Sequence, residues 1–297
     1  MIDPVVQQAL DLRPRPSWRS AKNTIMSVLM VSGFVVIAIP LVAILYSLFS
    51  RGSHAAFSSF PDFFTKEIPH ISRLPGPGMG PAILGTLLVT GGATMLAVPL
   101  GILGAIYLHE YGNDSKFSRL VRFMSVVMTG VPSIVMGLFV YVLWTMRFGY
   151  SAFGGSIAMA CLMLPVVIGS TEQMLRLVPT NLREASYALG STKSRTILTV
   201  VVPAALPGIV SGSLLAVARA AGETAPLLFT IGAATQFNHH LFDGANNALS
   251  AQIFVNANSS FAGAQDRAWG AALTLVLLTF TITVIARVFT ARFAMKR

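Results

Sequence analysis

Six long runs of apolar and small residues, separated by polar stretches, dominate the chain: Thr24 to Phe49, Pro81 to Leu108, Leu120 to Met146, Phe153 to Leu175, Pro203 to Ile231 and Ala268 to Phe289. Each has the roughly 20 residues that a helix needs to cross the hydrocarbon core of a bilayer. The pattern predicts an all-α polytopic membrane protein with six transmembrane helices. Between the runs lie an arm over residues 1–23 with Arg13-Pro14 and Arg15-Pro16 steps that disfavour helix, and a segment over 51–80 ending in the breaker cluster from Leu74 to Gly80. Gly112 to Ser115 reads as a turn, and another short loop lies around Tyr150. Two polar segments are longer, Leu177 to Val202 and Gln236 to Arg267. One apolar stretch, Leu214 to Ile231, carries two charges, Arg219 and Glu223, in its middle. An arginine at the bilayer centre costs roughly 2.5–3.5 kcal/mol on insertion scales, so it has to face protein or water and find a partner. Four residues apart on a helix, the two side chains share a face.

Composition agrees with the pattern: 54% hydrophobic residues, 11% charged and a mean hydropathy of +0.69 exclude a soluble domain with one ordinary core. The net charge of +10 is distributed, and its distribution sets the orientation. With both termini in the cytoplasm, fifteen of the 21 basic residues fall inside, Arg51, Lys66, Arg73, Arg147 and Arg267 fall outside, and Arg219 stays in the membrane. The basic balance is thus a topological signal, from which no nucleic-acid partner follows. The lone Cys161 lies in a predicted span, permits no intrachain disulfide and reads as a small packing residue. The first apolar run follows a 23-residue polar arm and is longer than the apolar region of a signal peptide, so it is expected to be a retained helix. The expected organisation is a cytoplasmic arm at 1–23, a first helix at 24–50 and an extracytoplasmic loop at 51–80. A core follows at 81–290, with a cytoplasmic segment at 180–203 and an extracytoplasmic cap at 236–267, then a cytoplasmic tail at 291–297. The cap holds His239, His240 and Asp243, whose run does not supply the convergent ligands of a metal site.

The inner segment starts with helix formers at Arg183-Glu184-Ala185-Ser186-Tyr187-Ala188, stops at Gly190 and resumes toward Val200-Val201-Val202-Pro203. A short helix, a turn and a second helical run are expected. Glu184, Ala185, Gly190, Val200, Val202 and Pro203 fall at the positions of the E-A-A, three residues, G, nine residues, I-x-L-P motif. The segment thereby resembles the binding-protein-dependent ABC importer permeases, with Ser186 in place of the second alanine and valine at both aliphatic sites. The resemblance implies a type I ABC importer permease fold whose cytoplasmic coupling helix docks into a cleft on an ATP-hydrolysing subunit. No G-x-x-x-x-G-K-[ST] phosphate loop occurs in the sequence, since Thr192 stands where Gly190-Ser191-Thr192-Lys193-Ser194 would need its glycine. ATP and magnesium are therefore expected on a partner, and this chain is expected to be no enzyme and to hold no cofactor or metal of its own.

A wider similarity runs from about Pro81 to the C-terminus and is to the phosphate-specific permeases of that family. It is carried by Ile106 to Tyr111, Glu172 to Pro179 and Arg219 to Thr230, with His109 standing where the family often has an acidic residue. The similarity implies inorganic phosphate as cargo, a bacterial cytoplasmic membrane, a homologous phosphate permease, two copies of an ATP-binding subunit and a phosphate-binding protein. The chemistry independently suits an anion: a guanidinium holds a tetrahedral oxyanion through a planar fork of donors and stays protonated when partly desolvated. Arg219 can meet passing phosphate, and Glu223 can hold Arg219 when the path is empty and repel an anion that lingers. A buried ion pair that only fixes helix registry is the other reading of the two residues. Glu172 and Arg176 form a second spaced pair, lining an inner vestibule by resemblance or serving as a positive-inside anchor. Pro226 is expected to bend or end the helix on the outer side. A sulfate or molybdate permease and a passive anion channel are the alternatives, and the coupling segment would have no purpose in a channel. The spans lack the paired acids, Ser/His arrangements or ligand clusters of an intramembrane enzyme.

Overall fold

A computed structural model describes residues 18–69, 78–112 and 115–294. The arm with its two Arg-Pro steps, most of the Leu74 to Gly80 breaker cluster and the Asn113-Asp114 turn lie outside the described residues. All regular structure in the described residues is helical. The long helices are α1 (Trp18–Phe57), α2 (Gly80–Ile106), α5 (Ala152–Arg176), α7 (Val202–Ala221) and α10 (Ala262–Ala294). Shorter ones are α3 (Lys116–Gly130), α4 (Ser133–Val140), α6 (Thr180–Ala188), α8 (Ala225–Thr230) and α9 (Leu249–Ala257). Five helical stretches are long and apolar enough to cross a membrane, and α3 with the run from α4 to Phe148 makes a sixth crossing if taken as one bent span.

The chain divides into two units between Ser47 and Leu48. The first contains α1 up to Ser47, apolar around its circumference and exposed at Phe34, Ile37 and Tyr46. In the second unit, α2 packs most extensively on α5, and α7 packs on both α5 and α2. Small residues allow this: Ala93, Ala97, Ala160 and Ala220 sit in a core with Met159, Met163 and Leu227, so backbones approach closely without apolar side chains holding them apart. A second core at one end joins Phe63, Met79, Leu249 and Ala271. A third at the opposite end joins Leu175, Val178, Val201 and Ile209.

Three expected boundaries are corrected. The third run is no straight helix: it breaks at Val131-Pro132 and turns by 107°, because Pro132 has no N–H to continue the ladder and constrains Val131 to an extended backbone. The fifth helical run starts at Lys193, passes through a π-helical turn at Ile197–Val201 and ends at Ala221, ten residues short of the expected Ile231. Its break at Gly222-Glu223-Thr224 lies one turn before Pro226, whose missing N–H is the one that would have bonded the Gly222 carbonyl. Pro226 instead occupies the first turn of α8, where no intrahelical N–H is required. Finally, α10 begins at Ala262, so the end of the expected cap is helical and Arg267 lies within a membrane-crossing helix, and it continues to Ala294, into the expected tail.

Candidate functional site

Arg219 occupies the last turn of α7, and Glu223 stands in the break behind it. The expected geometry, both residues midway along one continuous helix, is therefore replaced by one charge at a helix end and one in non-helical chain. The arginine benefits from that place, since the negative end of the helix dipole favours a cation. The two remain neighbours, Arg219 Nε lying 3.8 Å from Glu223 Oε1, beyond hydrogen-bond distance. The Arg219 side chain is 72% exposed and that of Glu223 25%. Among the described residues the Arg219 guanidinium donates no hydrogen bond. Within this chain the pair is thus no buried brace.

Both side chains line a cavity of about 260 Å³ whose opposite wall is the α3–α4 break, with Thr129, Pro132 and Ser133, and whose floor is Leu162 and Val166 of α5. Two interrupted helices hence face each other across one cavity, an arrangement that places non-helical backbone where it lines a space rather than lipid. The breaks are held in register at two points. Gly137 of α4 packs onto the backbone of Pro226 in α8 so tightly that a β-carbon has no room there. Ser250 Oγ of α9 donates to the Glu223 carbonyl at 2.9 Å, satisfying a backbone acceptor left by the break.

The second predicted pair has a different setting. Glu172 is 12% exposed and accepts from Arg122 Nε at 3.0 Å and from Arg176 Nη2 at 3.3 Å, while Arg122 Nη2 also donates to the Leu108 carbonyl at 2.8 Å. The carboxylate is thereby occupied in tying α3 to α5 and to the end of α2.

Nearby, Glu110 is 7% exposed and accepts from Arg183 Nη2 at 2.9 Å. Arg183 also donates to the carbonyls of Val178 at 2.8 Å and Leu175 at 3.1 Å. This arginine therefore fastens the short helix α6 to the ends of both α2 and α5. Sequence reasoning quoted Glu110 and Arg183 inside motifs without assigning them to each other; 73 residues separate them, and only the fold pairs them. A π-helical turn at Tyr107–Tyr111 sets the angle at which Glu110 leaves α2.

Of the remaining motif residues, Glu184, Ala185 and Gly190 are exposed, and Gly190 has a φ of +81°, the left-handed conformation that ends α6. Leu182, Tyr187 and Leu189 are exposed beside them, so α6 offers an acidic and apolar surface. Ser186, the departure from the motif's second alanine, is buried and its Oγ lies 2.8 Å from Thr196 Oγ1, joining α6 to the helical run that follows. Pro203 sits in the first turn of α7. His239, His240 and Asp243 are exposed, and among the described residues no group of three or more His, Cys, Asp or Glu could hold a metal ion.

Residues 97–296 match the family described as binding-protein-dependent transport system inner membrane component. The chain is 42% identical over 96% of its length to phosphate transport system permease protein PstA 1 of Mycobacterium tuberculosis strain H37Rv, covering 91% of that protein. The chain belongs to the PstA family of binding-protein-dependent permeases. A further member, phosphate transport system permease protein PstA of Yersinia pestis, is 39% identical over 94% of this chain and 94% of its own length. Among solved structures, a bacterial ABC transporter involved in the import of alginate matches 93% of this permease and 98% of its own chain with a TM-score of 0.64 at 15% identity. The inward-facing MetNI methionine ABC transporter matches 70% of it and 91% of its own chain with a TM-score of 0.56 at 18% identity. The fold is that of the type I ABC importer permeases, and this permease is a multi-pass inner-membrane protein.

Proposed function

We propose that this chain is the permease subunit of an ATP-driven importer of inorganic phosphate, with Arg219 and Glu223 in the anion path. The observation that carries the reading is the Arg219 guanidinium, open to a cavity between two helix breaks and held by Glu223 at 3.8 Å without a hydrogen bond among the described residues. An incoming tetrahedral anion meets a planar fork of donors, and Glu223, close enough to compete, keeps the anion's stay short. The homologous permease PstC supplies the other half of the path, two copies of PstB bind ATP and magnesium, and PstS delivers phosphate from outside. Both termini face the cytoplasm, with α6 on the inner side and the 236–267 segment covering the outer side. The cytoplasmic segment 180–203 docks PstB through Glu184, Ala185 and the exposed apolar side chains around them, with Gly190 and Pro203 setting its turn and the start of α7.

The coupling runs through two routes. One is covalent: α6 continues through Gly190 into the helical run whose last turn carries Arg219. The other is the Arg183 contact to Glu110, Leu175 and Val178, which makes α2 and α5 move with α6. Closure of the ATPase pair then rocks these helices as a body about the fixed cavity, opening it alternately to each side. The Glu172 pairs with Arg122 and Arg176 act as struts at the inner mouth. The chain performs no bond chemistry itself.

The test is uptake of labelled phosphate by cells that lack this chain and are complemented with it, in competition with sulfate and molybdate. Restored uptake, blocked by excess phosphate alone, is expected. Arg219→Gln should lower uptake about 100-fold, as loss of a charge-assisted contact worth ~3 kcal/mol would, while the complex still assembles. Wild-type uptake by that variant would remove Arg219 from the path.

A further inference from the structure

The end of α2 holds the chain on both sides of the Gly190 turn. Glu110 and Tyr111 are successive residues of the π-helical turn Tyr107–Tyr111. Glu110 accepts from Arg183 on α6, before the glycine, at 2.9 Å. Tyr111 reaches the residues after it: its hydroxyl lies 3.2 Å from Ser194 Oγ, and Lys193 Nζ stands 4.8 Å from the centre of its ring. Lys193 and Ser194 open the helical run whose last turn carries Arg219. The ring offers the ammonium its negative face, and the hydroxyl contact orients the ring.

Between the two grips lies the position best able to bend. Gly190 has a φ of +81° and open space where a β-carbon would stand, and a glycine changes backbone region at little steric cost. Moving proteins absorb displacement at a few such positions. The two arms that meet at Gly190 are also joined to each other, Ser186 Oγ lying 2.8 Å from Thr196 Oγ1 and the Ser191 N–H donating to the Ser186 carbonyl at 3.2 Å. A hairpin held in this way cannot bend at Gly190 without parting Arg183 from Glu110, or Lys193 and Ser194 from Tyr111. Tyr111, Lys193 and Ser194 are all exposed, so the second grip can be removed without opening a core.

We propose that Tyr111 is a positioning residue for ATP coupling: with Glu110 it clamps both arms of the Gly190 hairpin to α2, so that a displacement of α6 reaches the helix carrying Arg219 instead of being absorbed at the glycine. The inference rests on the reading of α6 as the element that docks the ATPase. It ties the covalent route itself to α2, so that the two coupling routes move as one.

The experiment uses the intact transporter complex in proteoliposomes with its phosphate-binding protein, and measures phosphate imported per ATP hydrolysed alongside Tm and PstB co-purification. Tyr111→Leu is expected to lower that ratio about fivefold while Tm and co-purification hold. Tyr111→Phe, which keeps the ring and loses the hydroxyl, should lie between the two. Lys193→Met should lower the ratio and Lys193→Arg, which keeps a cation over the ring, should recover it. Adding Lys193→Met to Tyr111→Leu should cost nothing more, because the leucine variant has already removed the shared contact. An unchanged ratio in Tyr111→Leu would overturn the clamp, and so would a lower Tm with uptake and ATP hydrolysis falling in parallel, the mark of a structural role alone. Glu184→Lys in the same assay separates the clamp from the reading beneath it. Normal PstB co-purification and a normal ratio there overturn the docking of α6 and the clamp with it, whereas an impaired Glu184→Lys beside an unaffected Tyr111→Leu overturns the clamp only.

Discussion

The end of the bundle that carries α6 and the middle of the bundle each hold arginine–glutamate pairs, and the pairs are in opposite states. At the α6 end Glu110 and Glu172 are 7% and 12% exposed and meet their arginines at 2.9 and 3.0 Å. In the middle Arg219 is 72% exposed and stands 3.8 Å from its acid. Arg183 and Arg122 have further acceptors in backbone carbonyls, whereas Arg219 faces a cavity. Identical side-chain chemistry thus stands in two settings, to which the proposed function gives two jobs. A carboxylate buried within hydrogen-bond distance of an arginine fixes helices to one another, and on the reading proposed above a guanidinium left open to a cavity receives a ligand. Residue type and spacing alone do not separate the two, since Glu172–Arg176 and Arg219–Glu223 are both four residues apart.

Breaking the pairs at the α6 end should have the largest effect on stability. Arg183→Ala leaves Glu110 as a buried charge without its partner and frees two carbonyls, which is expected to cost about 3 kcal/mol or more, seen as a lower Tm of the purified complex. Replacing both residues, Glu110→Leu with Arg183→Leu, should restore much of the Tm, because an apolar pair avoids the desolvation cost. Transport should stay impaired in the double variant if the pair passes motion from α6 to α2. A double variant with normal ATP-coupled uptake would make it a brace alone. Gly137→Ala tests the register of the two breaks: its new β-carbon meets the Pro226 backbone, which cannot yield as a side-chain end can, so about 1–3 kcal/mol is expected. The same substitution should also reduce uptake, because Ser133 at the start of α4 lines the cavity and α8 follows directly on Glu223. Ser186→Ala is the mildest change, costing about 1 kcal/mol through the orphaned Thr196 hydroxyl and leaving transport near normal, measured by Tm and uptake together.

The spans were legible because their signal is length and apolarity, which neither packing nor partners alter. The inner motif was legible because helix formers, a glycine stop and a resumed helix are local. The two breaks were read less well. Pro132 beside Gly130 was a breaker signal within the third run, but an apolar run hides a kink that hydropathy does not register. Pro226 was rightly expected to end a helix, yet the proline acts through the carbonyl four residues earlier, which moved the break to Gly222 and put Glu223 outside the helix. The Glu110–Arg183 and Glu172–Arg122 pairs were out of reach for another reason: 73 and 50 residues separate their members, and no local pattern encodes a meeting set by the packing of α2, α3 and α5.

The charge exchange Arg219→Glu with Glu223→Arg tests most directly whether the central pair belongs to the path. It preserves both charges and their proximity but puts the arginine in the break and the acid at the helix end. If the pair belongs to the path, the complex assembles with normal Tm and PstB co-purification while phosphate uptake stays at background. Full recovery of uptake relative to Arg219→Gln would contradict it, since that result requires a pair that only braces.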